Sequence, residues 1–320
     1  MHWFLLCIGL GPLLCAGAVV PEIDFATVAQ GRELLMQRDD YVTRMSPFDR
    51  AARMKTDKDV AERQYLDFVG AAVLPWKPDE ESSVRAAWRE LSPELARLAL
   101  PFPNVIHFVK TNGAGEGDAE YTRANEIVFP QSAFKKDRLP SLKGTIAHEL
   151  FHILSRNNPG LRDELYATIG FEPCGEIPFP PALASRKLTD PDAPKNDHCI
   201  HLRLGREPLW AVPLLYSKVE RFDPAKGGEF FQFIEMRFLR VERKSATAEA
   251  TYNMAAPQLL DLSQLSGFYE QVGRNTQYII HPEEILADNF EFLLIGKKDL
   301  PSPEVRERLA KVLGQTAESR

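Results

Sequence analysis

The sequence predicts an α+β protein, because helical and strand patterns occupy separate stretches of the chain. Apolar residues recur at helical spacing between residues 81 and 100, and the same spacing returns in residues 141–156 and 281–320. Short apolar runs typical of strands lie in residues 105–129 and 200–243. We therefore expect mixed secondary structure with at least one sheet packed on helices.

Composition places the chain among ordinary globular proteins. It has 320 residues, of which 44% are hydrophobic and 26% charged, and its formal net charge is −6. The apolar fraction argues against disorder. The negative charge argues against a protein that binds nucleic acid through bulk positive charge, so we expect no nucleic-acid partner.

The N-terminus has the pattern of a secretion signal. Residues 3–20 carry no acidic or basic side chain, and the run ends in Ala16-Gly17-Ala18, a small-x-small cleavage pattern. We predict a signal peptide over residues 1–18, a secreted or periplasmic protein, and no membrane attachment after cleavage. An uncleaved membrane anchor is the alternative, although Gly9 and Pro12 interrupt the run.

Cysteine usage fits export. Cleavage of the signal removes Cys7 and Cys15 and leaves Cys174 and Cys199. An exported chain with two cysteines predicts one disulfide, between Cys174 and Cys199. Two unpaired, buried thiols are the alternative.

The remaining chain divides into four stretches. Residues 19–103 form a helical N-terminal region, which we expect to be a permanent part of the fold rather than a removable pro-segment. Residues 104–170 contain a predicted β-hairpin, spanning 104–129, and then a helix. Residues 171–280 form a proline-rich loop and a β-rich insertion, and residues 281–320 form two helices.

The strongest chemical signal is His148-Glu149-Leu150-Phe151-His152, which has the pattern H-E-x-x-H. It lies inside the predicted helix 141–156, so both imidazoles occupy one helix face and can reach the same metal ion. Glu149 lies beside that face, where it can serve as a general base. Two core histidines bonded to backbone are the alternative.

This motif in a helix resembles the zincin metallopeptidases. The continuation HELFHILSRNNPG lacks the later glycine and third histidine of metzincins, which leaves the gluzincin arrangement of a glutamate on a later helix, in E-x-x-x-D. Glu284 and Asp288 match that spacing. The resemblance implies a zincin-like fold, a Zn²⁺ cofactor, Glu284 as third ligand and Asp288 as the carboxylate that orients a zinc-bound histidine. Glu283 is the nearest competitor.

Further polar residues are weaker candidates. His281 precedes Glu284 by three residues and is a candidate donor to the oxyanion of a tetrahedral intermediate. A helix cap or surface position would explain His281 equally well. Tyr278 and Tyr166 are alternative donors, and His198 or His201 is an alternative metal ligand.

Zincin-like folds commonly place a strand before the metal helix at the edge of the substrate cleft. The candidate residues for pairing with substrate backbone are Ala124, Asn125, Glu126, Ile127 and Val128. An ordinary inner strand is the alternative.

Together these patterns predict an exported zinc-dependent metallopeptidase. Peptides or proteins would be its substrates, with a zinc-activated water as nucleophile and Glu149 as the general base. Two alternatives stay open. One is a zinc hydrolase that acts on a non-peptide bond, and the other is a non-catalytic binding protein with a structural zinc.

Overall fold

The computed structural model describes residues 20–245 and 249–318, and within them it shows two β-sheets packed with helices. The predicted α+β class is confirmed at this level. The predicted signal peptide, residues 1–18, lies outside the described residues. Each helix in the described chain is too short or too polar to cross a membrane.

The first sheet has four strands in the order β1-β2-β4-β3. They are β1 (Glu22–Phe25), β2 (Val105–Thr111), β3 (Tyr121–Arg123) and β4 (Glu126–Pro130). β1, β2 and β4 run parallel, whereas β3 is antiparallel to β4.

The predicted hairpin over residues 104–129 is wrong. The apolar run from residue 120 to 129 is two strands rather than one, because Ala124 takes a left-handed conformation with φ of 46° and reverses the chain. β3 and β4 form the hairpin, and β4 then lies between β3 and β2, parallel to β2.

This topology also corrects the predicted substrate-pairing strand. Ala124 and Asn125 form the turn, and Glu126, Ile127 and Val128 belong to β4, whose two edges pair with β2 and β3. A strand with both edges occupied has no backbone groups left for substrate. The edge strands of this sheet are β1 and β3.

The second sheet has the order β10-β6-β7-β8-β9, and β5 pairs with β6 beside β10. All of its pairings are antiparallel. Its strands are β5 (Phe171–Pro173), β6 (His198–Leu204), β7 (Glu207–Ser217), β8 (Ile234–Val241), β9 (Leu259–Leu260) and β10 (Leu265–Ser266).

The α-helices of the described chain agree with the apolar periodicity, apart from short ones that carry too few turns to show it. They are α1 (Val28–Leu35), α2 (Asp40–Arg44), α3 (Pro47–Arg53), α4 (Glu62–Ala71), α5 (Pro78–Leu98), α6 (Leu142–Asn157), α7 (Pro159–Ala167), α8 (Phe268–Val272), α9 (Pro282–Leu294) and α10 (Pro303–Glu318).

The largest apolar core surrounds α6 and α9. Ile146, Leu150 and Phe151 of α6 are fully buried together with Leu286 and Phe290 of α9. The same core takes side chains from α5, α10 and both sheets. The two helices are therefore fixed side by side in the best-packed part of the molecule, which is where the predicted metal ligands lie.

The predicted disulfide is not formed in this structure. Cys174 and Cys199 are free, buried thiols, and no cysteine pair in the described chain lies at disulfide distance. The end of the proline-rich loop is held by other contacts. The backbone N–H of Cys174 donates to the carbonyl of Asp197 at 2.8 Å, and Arg243 donates to the carbonyl of Pro173 at 2.7 Å.

Candidate metal centre

His148 is held by two carboxylates from α9. Its Nδ1 lies 2.9 Å from Oδ1 of Asp288, and its Nε2 lies 3.2 Å from Oε2 of Glu284. Thr276 donates a hydrogen bond to the other oxygen of Asp288. Asp288 therefore fixes the ring so that Nε2 faces Glu284.

His152, one turn further along α6, has the same arrangement with different partners. Its Nδ1 lies 3.0 Å from Oε1 of Glu283, and its Nε2 lies 3.8 Å from Oε1 of Glu284. Ser155 donates to Glu283 at 2.5 Å, and Tyr166 donates to the other Glu283 oxygen. Both histidines thus commit Nδ1 to an orienting carboxylate and direct Nε2 to Glu284.

The structure brings together the residues that the sequence singled out. His148, His152 and Glu284 converge as expected of ligands, and Asp288 bonds a histidine as expected of an orienting carboxylate. Glu283 contacts the nitrogen of His152 that faces away from Glu284. Coordination itself stays a prediction.

Three buried carboxylate oxygens here have no hydrogen-bond partner in the described chain, namely Oε2 of Glu149, Oε1 of Glu284 and, on the adjoining loop, Oδ2 of Asp190. Ligand atoms of His148, Glu149 and His152 lie within 4.8 Å of one another. A buried carboxylate without a donor is costly unless a cation satisfies it. Two imidazoles and a carboxylate are a donor set that suits zinc, so the residues fit a metal ion.

The electrostatics point the same way. Burial lowers the pKa of His148, but the hydrogen bonds that its ring donates to Asp288 and Glu284 outweigh burial and leave that pKa well above its usual value. Burial also opposes protonation of His152, yet the charges of Asp192 and Glu284 raise its pKa to about 10. The negative potential that would protonate these rings also favours a bound cation.

The pKa of Glu149 is also shifted by burial and by the charges of the site. Burial and the nearby charge of Asp192 raise the pKa of its carboxyl group to about 8, while both histidines oppose the rise. Its side chain lines a cleft with His148, Glu284, Asp192 and Tyr278. The general-base candidate is thus oriented towards the cleft.

The cleft adjoins a cavity of about 50 Å³, whose lining is mostly apolar but includes the carboxylates of Glu120, Asp190 and Asp192. Phe231 and Tyr278 line both spaces, and they are 40% and 41% exposed, among the most exposed large apolar side chains of the described chain. The deeper walls are formed by Leu188, Leu215, Phe230, Ile234 and Ile280. An apolar group bound at the cleft could extend into this cavity.

The structure does not bring His281 to the cleft. His281 is the N-cap of α9, where its Nδ1 accepts the backbone N–H of Glu283 at 3.1 Å. Tyr166 is buried against Glu283. Of the donors considered from sequence, Tyr278 is the one that lines the cleft.

The alternative histidine ligands lie elsewhere. His198 has Nδ1 2.6 Å from Asp197 and Nε2 3.1 Å from Asp163, so both ring nitrogens are engaged. His201 is exposed and packs edge-on against Trp210. Neither belongs to a group of described residues that could hold a metal.

Sequence reasoning missed two acidic residues at this site and gave a third a different role. Asp192 groups with His152 and Glu284, and Glu291 groups with His148 and Asp288. Glu283, considered only as a ligand, orients His152. Glu291 follows Glu284 by seven residues on α9, a helical spacing that could have revealed it. Asp192 lies in a loop without periodicity, so no spacing rule could have found it.

Comparison of the chain with protein-family models, with curated proteins and with solved structures yields no match.

Proposed function

We propose that this protein is an exported, zincin-like zinc metallopeptidase whose metal is held by His148, His152 and Glu284. The observation that carries the proposal is the convergence of the two Nε2 atoms on Glu284, 3.2 and 3.8 Å from its oxygens, beside the unpartnered Oε2 of Glu149. Export rests on the signal pattern of residues 1–18 alone.

A bound zinc ion supplies Lewis acidity, which polarises a carbonyl group and makes a water molecule easier to deprotonate. Glu149 takes the proton of the attacking water and passes it to the leaving amine. Its raised pKa, about 8, suits a group that must both accept and release a proton near neutral pH. Tyr278 has a hydroxyl that can donate to a developing oxyanion in the cleft.

The orienting residues prepare the site for these steps. Asp288 and Glu283 each accept a hydrogen bond from one Nδ1, which selects the tautomer that leaves Nε2 free for the metal. Thr276 donates a hydrogen bond to Asp288 and Ser155 donates one to Glu283, which fixes the orientation of the two carboxylates. The site is therefore preorganised by α6 and α9, which share the main core.

The space beside the cleft supports a peptide substrate with an apolar side chain of modest size. The apolar cavity adjoins the cleft, and the two spaces share Phe231 and Tyr278. Arg53 and Glu116 also reach the cavity, but they are paired with each other at 2.9 Å. The charges of Arg53 and Glu116 compensate each other, whereas Glu120, Asp190 and Asp192 also line the cavity and disfavour an acidic side chain there.

Metal analysis and two variants test the proposal. We expect the purified protein to bind one zinc ion per chain and to cleave peptides in a chelator-sensitive manner. Glu149→Gln should keep zinc but lose turnover by about 100-fold or more, because the general base is removed. His148→Ala should lose both zinc and turnover.

Glu164→Gln is the matched control, since Glu164 is an exposed glutamate of the neighbouring helix α7. It should leave both measurements unchanged. Full peptidase activity in Glu149→Gln would refute the mechanism. Zinc-loaded protein that hydrolyses other bonds but no member of a peptide library would refute the peptidase assignment.

A further inference from the structure

The proline-rich loop between β5 and β6 brings an acidic side chain to the metal centre. One carboxylate oxygen of Asp192 lies within 4.8 Å of a ring nitrogen of His152 and of a carboxylate oxygen of Glu284. Asp192 also lines the cleft beside Glu149. The proposed mechanism gives Asp192 no role.

Residues of β3 and α6 fix the position of Asp192. The backbone N–H of Thr122, on edge strand β3, donates to Oδ1 at 2.8 Å, and the Thr122 hydroxyl donates to the same oxygen. Arg156, on α6, lies 3.6 Å from Oδ1 and donates to the Asp192 carbonyl at 3.3 Å. The contacts that reach the Asp192 carboxylate all involve Oδ1, so Oδ2 is the oxygen available for another partner.

The charges around Asp192 favour a cation at this point. Glu284 is only 2% exposed, and its Oε1 has no hydrogen-bond partner in the described chain. Carboxylates packed this closely repel one another unless a positive charge lies between them. With neutral imidazoles at His148 and His152, the charges of Glu284 and Asp192 together balance one divalent ion.

We propose that Asp192 is a fourth ligand of the metal, carried by the loop rather than by a helix; the inference rests on the proposed function. His148, His152 and Glu284 lie on α6 and α9 within the main core, whereas residues 188–194 form no helix or strand. Asp192 would fill the fourth position of the metal at rest, with Oδ1 held by Thr122 and Arg156, and substrate or water would have to displace Oδ2 during turnover.

Asp192→Asn tests this inference through metal binding. The amide keeps an acceptor for the Thr122 N–H but removes the negative charge, and a neutral amide oxygen is a weaker ligand for zinc than a carboxylate. We expect the Kd for zinc, measured by competition with a chelator, to rise about tenfold or more. The visible absorption of the Co²⁺-loaded protein, which reports the ligand set, should change as well.

Asp299→Asn is the matched control, because Asp299 is an exposed aspartate in the connection between α9 and α10, outside the candidate site. It should leave zinc affinity and the Co²⁺ spectrum unchanged. Asp192→Glu should restore part of the affinity lost in Asp192→Asn, which a merely misfolded loop would not permit.

Unchanged zinc affinity and an unchanged Co²⁺ spectrum in Asp192→Asn would overturn the inference. If the wild type binds zinc and His148→Ala does not, that result leaves the proposed function standing. A wild-type chain that binds no zinc would overturn both.

Discussion

At the scale of single residues, the site depends on the two Nδ1 contacts. Asp288 accepts from His148 at 2.9 Å and Glu283 accepts from His152 at 3.0 Å, and each leaves one Nε2 directed at Glu284. Neither carboxylate contacts Nε2. Both are therefore positioning residues, which would act on a bound metal through the histidines.

Asp288→Asn should weaken zinc binding by about 10- to 100-fold, because an amide holds the His148 ring less strongly and lowers its basicity. A chelator competition assay measures the Kd directly. Glu304→Gln, at an exposed glutamate of α10, is the control and should keep wild-type affinity. Equal affinity in both variants would show that Asp288 does not position His148.

The sequence could predict those contacts that follow from spacing within one helix. His148 and His152 share a face of α6, and Glu284 and Asp288 share a face of α9. The role of Glu283 could not be found in this way. It depends on how α9 packs against α6, and a sequence pattern within one helix does not specify that packing.

Titration of the buried His281 ring makes the free energy of unfolding depend on pH. Burial lowers the pKa of the His281 ring from 6.5 to about 4. The charged and titratable groups that face the ring are Glu283, Asp197 and His198, and the Tyr166 ring lies 6.1 Å away. Since the folded pKa is below the unfolded one, the unfolded state binds the proton first. The stabilisation is complete above pH 6.5 and declines as the pH falls from 6.5 to 4.

His281→Asn should remove this dependence, because asparagine can still cap α9 but does not titrate. Urea unfolding in the presence of a chelator, at pH 7.5 and at pH 4.5, measures the free energy of unfolding. The wild type should lose about 2 kcal/mol more than the variant between these two pH values. Parallel losses in the two proteins would contradict the assignment.

At the scale of elements, the sequence predicted the positions of the strands more accurately than it predicted the pairing between them. A continuous apolar run from residue 120 to 129 carries no sign of the reversal at Ala124, whose left-handed φ of 46° is unusual for alanine. The pairing of β2 with β4 depends on the order in which strands join the sheet. Local hydrophobic pattern does not encode that order.

The segment from β7 to β8 supplies a prediction about specificity. Leu215 of β7, Phe231 of the connection and Ile234 of β8 line the apolar cavity beside the cleft. Ile234→Phe should fill part of this cavity. The kcat/KM for peptides with a medium-sized apolar residue at the scissile bond should fall about tenfold, and that for peptides with a small residue should change little.

Met254→Phe is the control, because Met254 is an exposed apolar residue outside the cavity. It should leave both peptide classes unaffected. An equal loss for medium-sized and small residues in Ile234→Phe would mean that the cavity does not select the substrate side chain.

At the scale of the whole molecule, the N-terminal region is joined to the rest of the fold by pairing and by charge. β1 pairs with β2, so this region is not wholly helical as predicted and contributes a strand to the first sheet. Arg53 of α3 donates to Glu116 at 2.9 Å, to Asp49, and to the carbonyl of Thr189 at 3.0 Å. These contacts connect α3 to the β2–β3 connection and to the loop that carries Asp192.

Arg53→Met tests how strongly this network holds the molecule together. Arg53 and Asp49 form a buried i,i+4 pair, and Arg63 with Asp67 forms an i,i+4 pair on the surface. Removing Arg53 leaves the buried Asp49 and Glu116 without their cation, which should cost about 3–5 kcal/mol in the free energy of unfolding. Burial already raises the pKa of Glu116, so protonation of that carboxyl group limits the loss.

Arg63→Met is the control and should cost less than about 1 kcal/mol, because solvent screens an exposed pair. Urea unfolding of both variants at pH 7 makes the comparison. A large difference between the two variants would show that the buried network of Arg53 stabilises the whole fold, and equal small losses would refute that conclusion.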